Sequence, residues 1–281
     1  MSQSTRTLDH CVLPVPNLDV ARARYSALGF TVAPQGTHPF GTINACVYFA
    51  DDTFLEPLAI GDAAQVETAI AEGNVFVARD ALYRRATGDN GFSALVFKSD
   101  DAPADHAQFV DERISAGPML DFSRAFVDTD GKSGTVAFRL AFAANGDGEA
   151  GYFFTCQRLN APAASGRAAL ERHANGVTGI AGITLTAEQP RDHQDFLAAI
   201  TQAPVREAAG GLVASLRSGD VRVVQGAGPL QLSAIRFTVG DLAKTAGVLL
   251  ENGVAFVRAA THLSVDPALG QGATFHFEEM K

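Results

Sequence analysis

The chain has 281 residues, 47% of them hydrophobic and 19% charged, and a formal net charge of −9. That length favours two domains with ample material for cores. The acidic balance, with no run of Lys and Arg, speaks against a nucleic-acid or membrane-surface partner.

No apolar run approaches the ~20 residues that span a bilayer. The opening MSQSTRTLDH lacks an apolar signal core, so a cytoplasmic location is expected. Residues 8–15 then alternate as a strand, with the ionisable His10 in its middle. Pro16-Asn17 turns the chain, and Asn17 or Asp19 can cap a helix near 18–28 that Gly29 stops. FTVAPQG, INACVYFA and TFLEPLAI read as a second, third and fourth strand, with a tight turn at Asp51-Asp52. The unit is βαβββ.

An insert at 61–91 reads as a helical cover. The grammar then recurs: strand FSALVFKSDD, helix ADHAQFVDERISAG ended by Gly117, strands SGTVAFRLAFA and AGYFFTCQRL. It recurs from Ile180, with a hairpin turn at Gly219-Asp220, and again from Leu232. One such unit is too small to bury the inner face of its sheet, so the four copies should pair. The expected fold is α+β, four units paired into two curved-sheet domains at 1–160 and 177–281, joined by a linker at 161–176. The second domain is the shorter and more degenerate. Cys11, Cys46 and Cys156 lack CxxC spacing and read as buried small hydrophobes.

The opening LDHCVLPVPNLDVARARYSALGF, the stretch GTHPFGTINACVYFADDTFLEPLAI and the later CQRL…ERHANGVTGI together resemble the vicinal oxygen chelate superfamily. That superfamily includes glyoxalase I, extradiol dioxygenases and antibiotic-resistance proteins, and the resemblance is to its glyoxalase-like branch. It implies a divalent metal held by the first and fourth strands of paired units, which stabilises negative charge on two neighbouring substrate oxygens. Carried over, His10 matches the family's His ligand and Glu56 its Glu ligand. Such donors suit Zn, Fe, Mn, Co or Ni; the alternative is a cavity without metal.

The other copies depart from this pattern. Ala94 stands opposite His10, and Gln157 or Thr155 where a second carboxylate is expected. His38, in the loop before the third strand, can supply the missing imidazole. The candidate metal set is therefore His10 and Glu56, with His38 and Gln157 as further donors. In the second half Gly182 and Ala234 replace the His, and Gln225 and His276 fall near the fourth-strand positions, so that half is read as having lost its metal site.

Each residue has a bland alternative. His10 can be a core histidine; if it serves a cavity instead, removing it should cost little stability. Glu56 is costly to bury unless paired. His38, Asn44, Cys156 and Gln157 are candidate cavity residues. Arg124 and Arg139 can each hold a ligand carboxylate or phosphate, or lie on an outer face. His173 and Asn175 either serve the site or fix the domain junction, and His106, His193 and His262 read as surface residues.

The expected function is binding of a small oxygenated molecule, with His10 and Glu56 catalysing lyase, isomerase or dioxygenase-type chemistry. The alternative is a non-catalytic sequestration protein of the resistance type. Either would be a monomer or a homodimer.

Overall fold

The computed structural model describes residues 5–127, 133–146, 149–160, 168–208 and 210–279. In the first half, β1 (Leu8–Pro14) leads to α1 (Leu18–Ala27), then to β2 (Gly36–Thr37), β3 (Thr42–Asn44), β4 (Val47–Tyr48) and β5 (Phe54–Ile60). The helices α2 (Ala63–Ala71) and α3 (Val75–Thr87) follow, then β6 (Ala94–Lys98), α4 (Ala102–Asp111), β7 (Leu120–Val127), β8 (Ser133–Ala143) and β9 (Tyr152–Leu159). The second half has β10 (Val177–Ala187), α5 (Gln194–Thr201), β11 (Val205–Ala208), β12 (Gly211–Ser215) and β13 (Asp220–Gln225). It ends with β14 (Gln231–Val239), α6 (Leu242–Glu251), β15 (Val257–Arg258), β16 (His262–Val265) and β17 (Thr274–Glu279).

The strands form two mixed sheets on one plan. The first runs β2-β3-β5-β1-β6-β9-β8-β7, with β4 also on β5; the second runs β11-β12-β13-β10-β14-β17-β16-β15. At the centre of each, two antiparallel first strands (β1 with β6, β10 with β14) are flanked by their own parallel fourth strands. This is the expected pairing of units. Part of the linker, 161–167, lies outside the described residues. No helix of the described residues is long and apolar enough to cross a membrane.

Several elements follow directly from local chemistry. The Asn17 side chain accepts from Val20 N and caps α1, and Gly29, at φ +84°, turns the chain out of it. Others differ from the expectation. FTVAPQG is not a strand, because Pro34 has no N–H for a ladder. INACVYFA is broken between Asn44 and Val47, although β3 and β4 keep one register against β5 (Asn44↔Leu58, Val47↔Leu55). The break faces Pro57, which accepts from Ala45 N but has nothing to donate in return. The helix expected to end at Gly117 stops earlier, where Arg113 takes φ +59°.

Two apolar clusters pack against the first sheet. One lies on its α1 and α4 face and continues without interruption into the helix-covered face of the second sheet. The other lies on the opposite, inner face, where Val12, Leu58, Val96 and Phe154 meet Val66, Phe76 and Val77 of α2 and α3. The insert is thus a helical roof over the inner face. Arg84 ties α3 down through the carbonyls of Val15 and Leu58, and Arg79 through that of Ala116.

Candidate functional site

On that roofed inner face three ionisable side chains from separate segments converge. His10 comes from β1, Glu56 from β5, and His38 from the turn between β2 and β3. All are under a tenth exposed (5%, 5% and 7%). His10 Nε2 lies 3.4 Å from Glu56 Oε2, and His38 Nε2 lies 3.6 Å from Glu56 Oε1. The Asn44 amide donates to Glu56 Oε1 at 2.6 Å. Phe54 stacks on the His10 ring at 4.3 Å, and Phe154 meets its edge at 5.7 Å.

The imidazoles are anchored from behind. His38 Nδ1 bonds Thr42 Oγ1 at 2.9 Å, and His10 Nδ1 bonds Asp9 Oδ2 at 2.7 Å. Sequence neighbours in a strand ordinarily face opposite ways. Here Asp9 is the extra residue of a bulge, since Leu8 pairs with Phe97 and His10 with the very next residue, Val96. Arg158 closes the chain, gripping both Asp9 oxygens at 2.8 and 2.7 Å.

The charges follow from this packing. Burial alone would raise the Asp9 and Glu56 carboxyls. Arg158 and the bonded His10 instead hold Asp9 well below its usual range. The His10 hydrogen bond, with His38 and Asn44, brings Glu56 down to about 2. For His10 burial opposes the charge, but Asp9 and Glu56 overcome it and raise the ring's pKa. Burial wins at His38, which falls to about 4 despite Glu56. The cluster therefore favours the charged form of His10 and the neutral form of His38 on either side of an ionised Glu56.

The strand register corrects the expected counterparts. The segments that follow the four first strands, namely α1, α4, the 3-10 turn Pro190–His193 that leads into α5, and α6, have their N-caps at one spacing from the matched first-strand residue (10 to 17, 94 to 101, 182 to 189, 234 to 241). Glu56 pairs with Val12, two residues past His10. The same offset leads to Phe154 in the second unit, Arg222 in the third and His276 in the fourth. Gln157 and Thr155 are not the counterparts of Glu56. Gln157 faces away, with its amide on Asp100 O and Ala102 N at the start of α4. Gln225 gives way to Arg222, and its own amide bonds Glu188 O.

The remaining candidates separate. Cys156 stands on the site face, its thiol pushed up to about 12 by burial. Arg124 lies at the edge of the site, its guanidinium 5.7 Å from the Phe138 ring. Arg139 does not join; it pairs with Asp121 on the exposed face of the β7–β8 hairpin. His173 and Asn175 fix the domain junction: His173 bonds Thr31 N and Tyr48 O, and Asn175 bonds Leu28 O. Sequence reasoning missed Asp9, Arg158 and Thr42. The signal for Asp9 was present, a carboxylate beside His10 in an apolar strand, which burial obliges to find a cation.

Among the described residues no three His, Cys, Asp or Glu side chains are arranged to hold a metal ion. Ala94 and Phe154, the register counterparts of His10 and Glu56, carry no donor. The cluster does not fit the paired His and carboxylate set that the resemblance implies.

The family profile described as a glyoxalase-like domain matches residues 8–201. No curated protein sequence matches. Among solved structures, a hypothetical protein from Staphylococcus aureus superposes with TM-score 0.70 at 14% identity, over 97% of this chain and 99% of its own. A mutant 4-hydroxymandelate synthase from Streptomyces coelicolor gives 0.63 at 12%, over 99% and 93%. A Mn(II)-bound glyoxalase from Novosphingobium aromaticivorans gives 0.61 at 10%, over 99% and 83%. At these identities the likeness is one of fold.

Proposed function

This chain belongs to the glyoxalase-like domain family of the vicinal oxygen chelate superfamily, and from that premise we propose that it is an enzyme of proton transfer. It binds a small oxygenated molecule against the inner face of the first sheet and moves a proton at a carbon next to an oxygen, as a lyase or isomerase does. The observation that carries this reading is the convergence of His10, Glu56 and His38, all buried, on a face otherwise lined by Val, Leu and Phe. Burying three ionisable groups together is costly. The apolar Ala94 and Phe154 at the matching positions of the second unit argue that the fold does not need them.

The roles follow from the charges. His10, whose charged form Asp9 and Glu56 favour, stabilises negative charge that builds on the substrate oxygen. Glu56 Oε1 or the free nitrogen of His38 takes the proton, the two lying 3.6 Å apart. A neighbouring imidazolium and neutral imidazole of opposed pKa are the partners such a transfer uses. The roof of α2 and α3 keeps water out.

The test is proton NMR of the full chain in D2O with a panel of small 2-hydroxy ketones and 2-oxo acids. Solvent deuterium should enter at the carbon beside the oxygen of at least one compound. A compound that binds with no exchange and no conversion would make the chain a sequestration protein instead. The Mn(II)-bound relative motivates a parallel elemental analysis. One equivalent of divalent metal held by His10, His38 and Glu56, after these draw closer together, would replace the metal-free roles given above.

A further inference from the structure

Arg124 is the arginine that borders the cluster, beside Gly36 and over Phe138, without being held by an acid among the described residues. Arg158 is spent on Asp9, Arg6 on Asp105, Arg84 on Asp80 and Arg139 on Asp121. Arg79 is spent on the carbonyl of Ala116. Arg124 has no carboxylate and no hydrogen-bond acceptor among the described residues, and its recorded contact is with a ring. It is only half-exposed. A guanidinium in that setting keeps its planar fork of donors unused, and the group that fork matches is a carboxylate or phosphate.

Its place is defined by what surrounds it. Arg124 lies two residues beyond Phe122 on β7 and shares its face, and Phe122 meets the edge of His38 at 5.9 Å. Phe122 and Phe138 stack at 4.9 Å, and the guanidinium lies over Phe138. On the other side it borders Gly36: a Cβ built there would fall onto Asn44 Oδ1 and within 2.9 Å of Arg124 Nη1. Asn44 is the residue whose amide holds Glu56. The guanidinium thus sits at the edge of the cluster, one residue away from Glu56, and its charge reaches both His38 and Cys156. Between the fork and the cluster the walls are aromatic: Phe122, Phe138, Phe40 and the His38 ring, which stacks on Phe40 at 5.0 Å.

We propose that Arg124 is the carboxylate anchor of this site, and that its ligand is a small acid with a flat, unsaturated body. The carboxylate takes the Arg124 fork, the body lies against Phe122 and the His38 ring, and the oxygen-bearing end reaches Glu56. This deepens the acid–base reading above and rests on it for the direction in which the ligand points. The carboxylate is preferred to phosphate because one guanidinium is the single unspent cation found here among the described residues, enough for a monoanion.

The test is calorimetric titration of the full chain with benzoate and with benzamide, which share a ring and differ in charge. The parent should bind benzoate at least about tenfold more tightly than benzamide, the margin one charge-assisted bidentate contact supplies. Arg124→Gln should abolish that preference while keeping its circular dichroism spectrum and melting temperature. Glu56→Gln should keep the preference, since the anchor is elsewhere. No benzoate binding by the parent, equal binding of the two probes, or full benzoate affinity in Arg124→Gln would overturn the proposal. The two readings fail separately. Loss of benzoate preference in Arg124→Gln alongside unaltered exchange in Glu56→Gln would keep the anchor and sink the acid–base roles.

Discussion

His38 shows how much a single ring's surroundings decide. Burial holds its pKa at about 4, below the ordinary 6.5. Between those values the unfolded chain binds a proton that the folded chain refuses. The contribution of this ring to stability is therefore present at pH 7 and lost as pH falls through that window, a term of about 3 kcal/mol when complete. His38→Gln should lose less stability than the parent between pH 7 and pH 4.5 in urea unfolding; equal losses would show the ring to be solvated. His10 calls for a revision at the same scale. A cavity-serving His10 was expected to be dispensable for stability. The structure instead places it in contact with two buried carboxylates and under Phe54. His10→Ala should cost on the order of 2–3 kcal/mol by leaving those charges less well paired, read from urea midpoints. His10 and Glu56 were legible because they are ionisable residues in apolar strands at the family's positions. Phe154 was not, because counting along a strand cannot fix register across a bulge and a broken edge.

The elements show where strand and helix signals run out. First and fourth strands of every unit were readable, since each is a continuous apolar or alternating run between turns. The short outer strands β2, β4, β11 and β15 have two to four residues and carry no period of their own; their pairing is imposed by the neighbour. Gly29 was readable as a helix stop, and the structure adds a second constraint. Its φ is +84°, and a Cβ there would lie 2.6 Å from Val248 Cγ1 on α6 and 3.0 Å from Asn175 Cβ. Gly29→Val should therefore cost more than strain at a turn alone, about 2 kcal/mol or more. Thermal unfolding checks this, and a variant as stable as the parent would mean that α6 is not docked there.

At the scale of the whole molecule, the two sheets share one core. Phe30 and Phe49 of the first half pack on Phe237 of the second at 5.5 and 5.6 Å, and Phe30 also meets Phe275 and Phe277. Polar ties cross the same boundary: Arg24 with Gln271, Asn90 with Gly270, and Arg6 N with Thr201 O. Calorimetry should accordingly show one cooperative transition for the full chain, and two resolved transitions would mean independent halves. The repeat made the pairing of units legible, but nothing in it announced that the apolar faces of the two pairs merge. The second half contributes this support while its own register positions carry Arg222 and His276 in place of a carboxylate. The proposed chemistry thus falls to the first sheet, with Glu56 and its two imidazoles moving the proton. Deuterium entry into the best compound of the panel, compared between the parent and Glu56→Gln, tests this most directly. The rate should be lower by about 10²-fold or more in Glu56→Gln with the fold intact; exchange at the parental rate would contradict this role of Glu56.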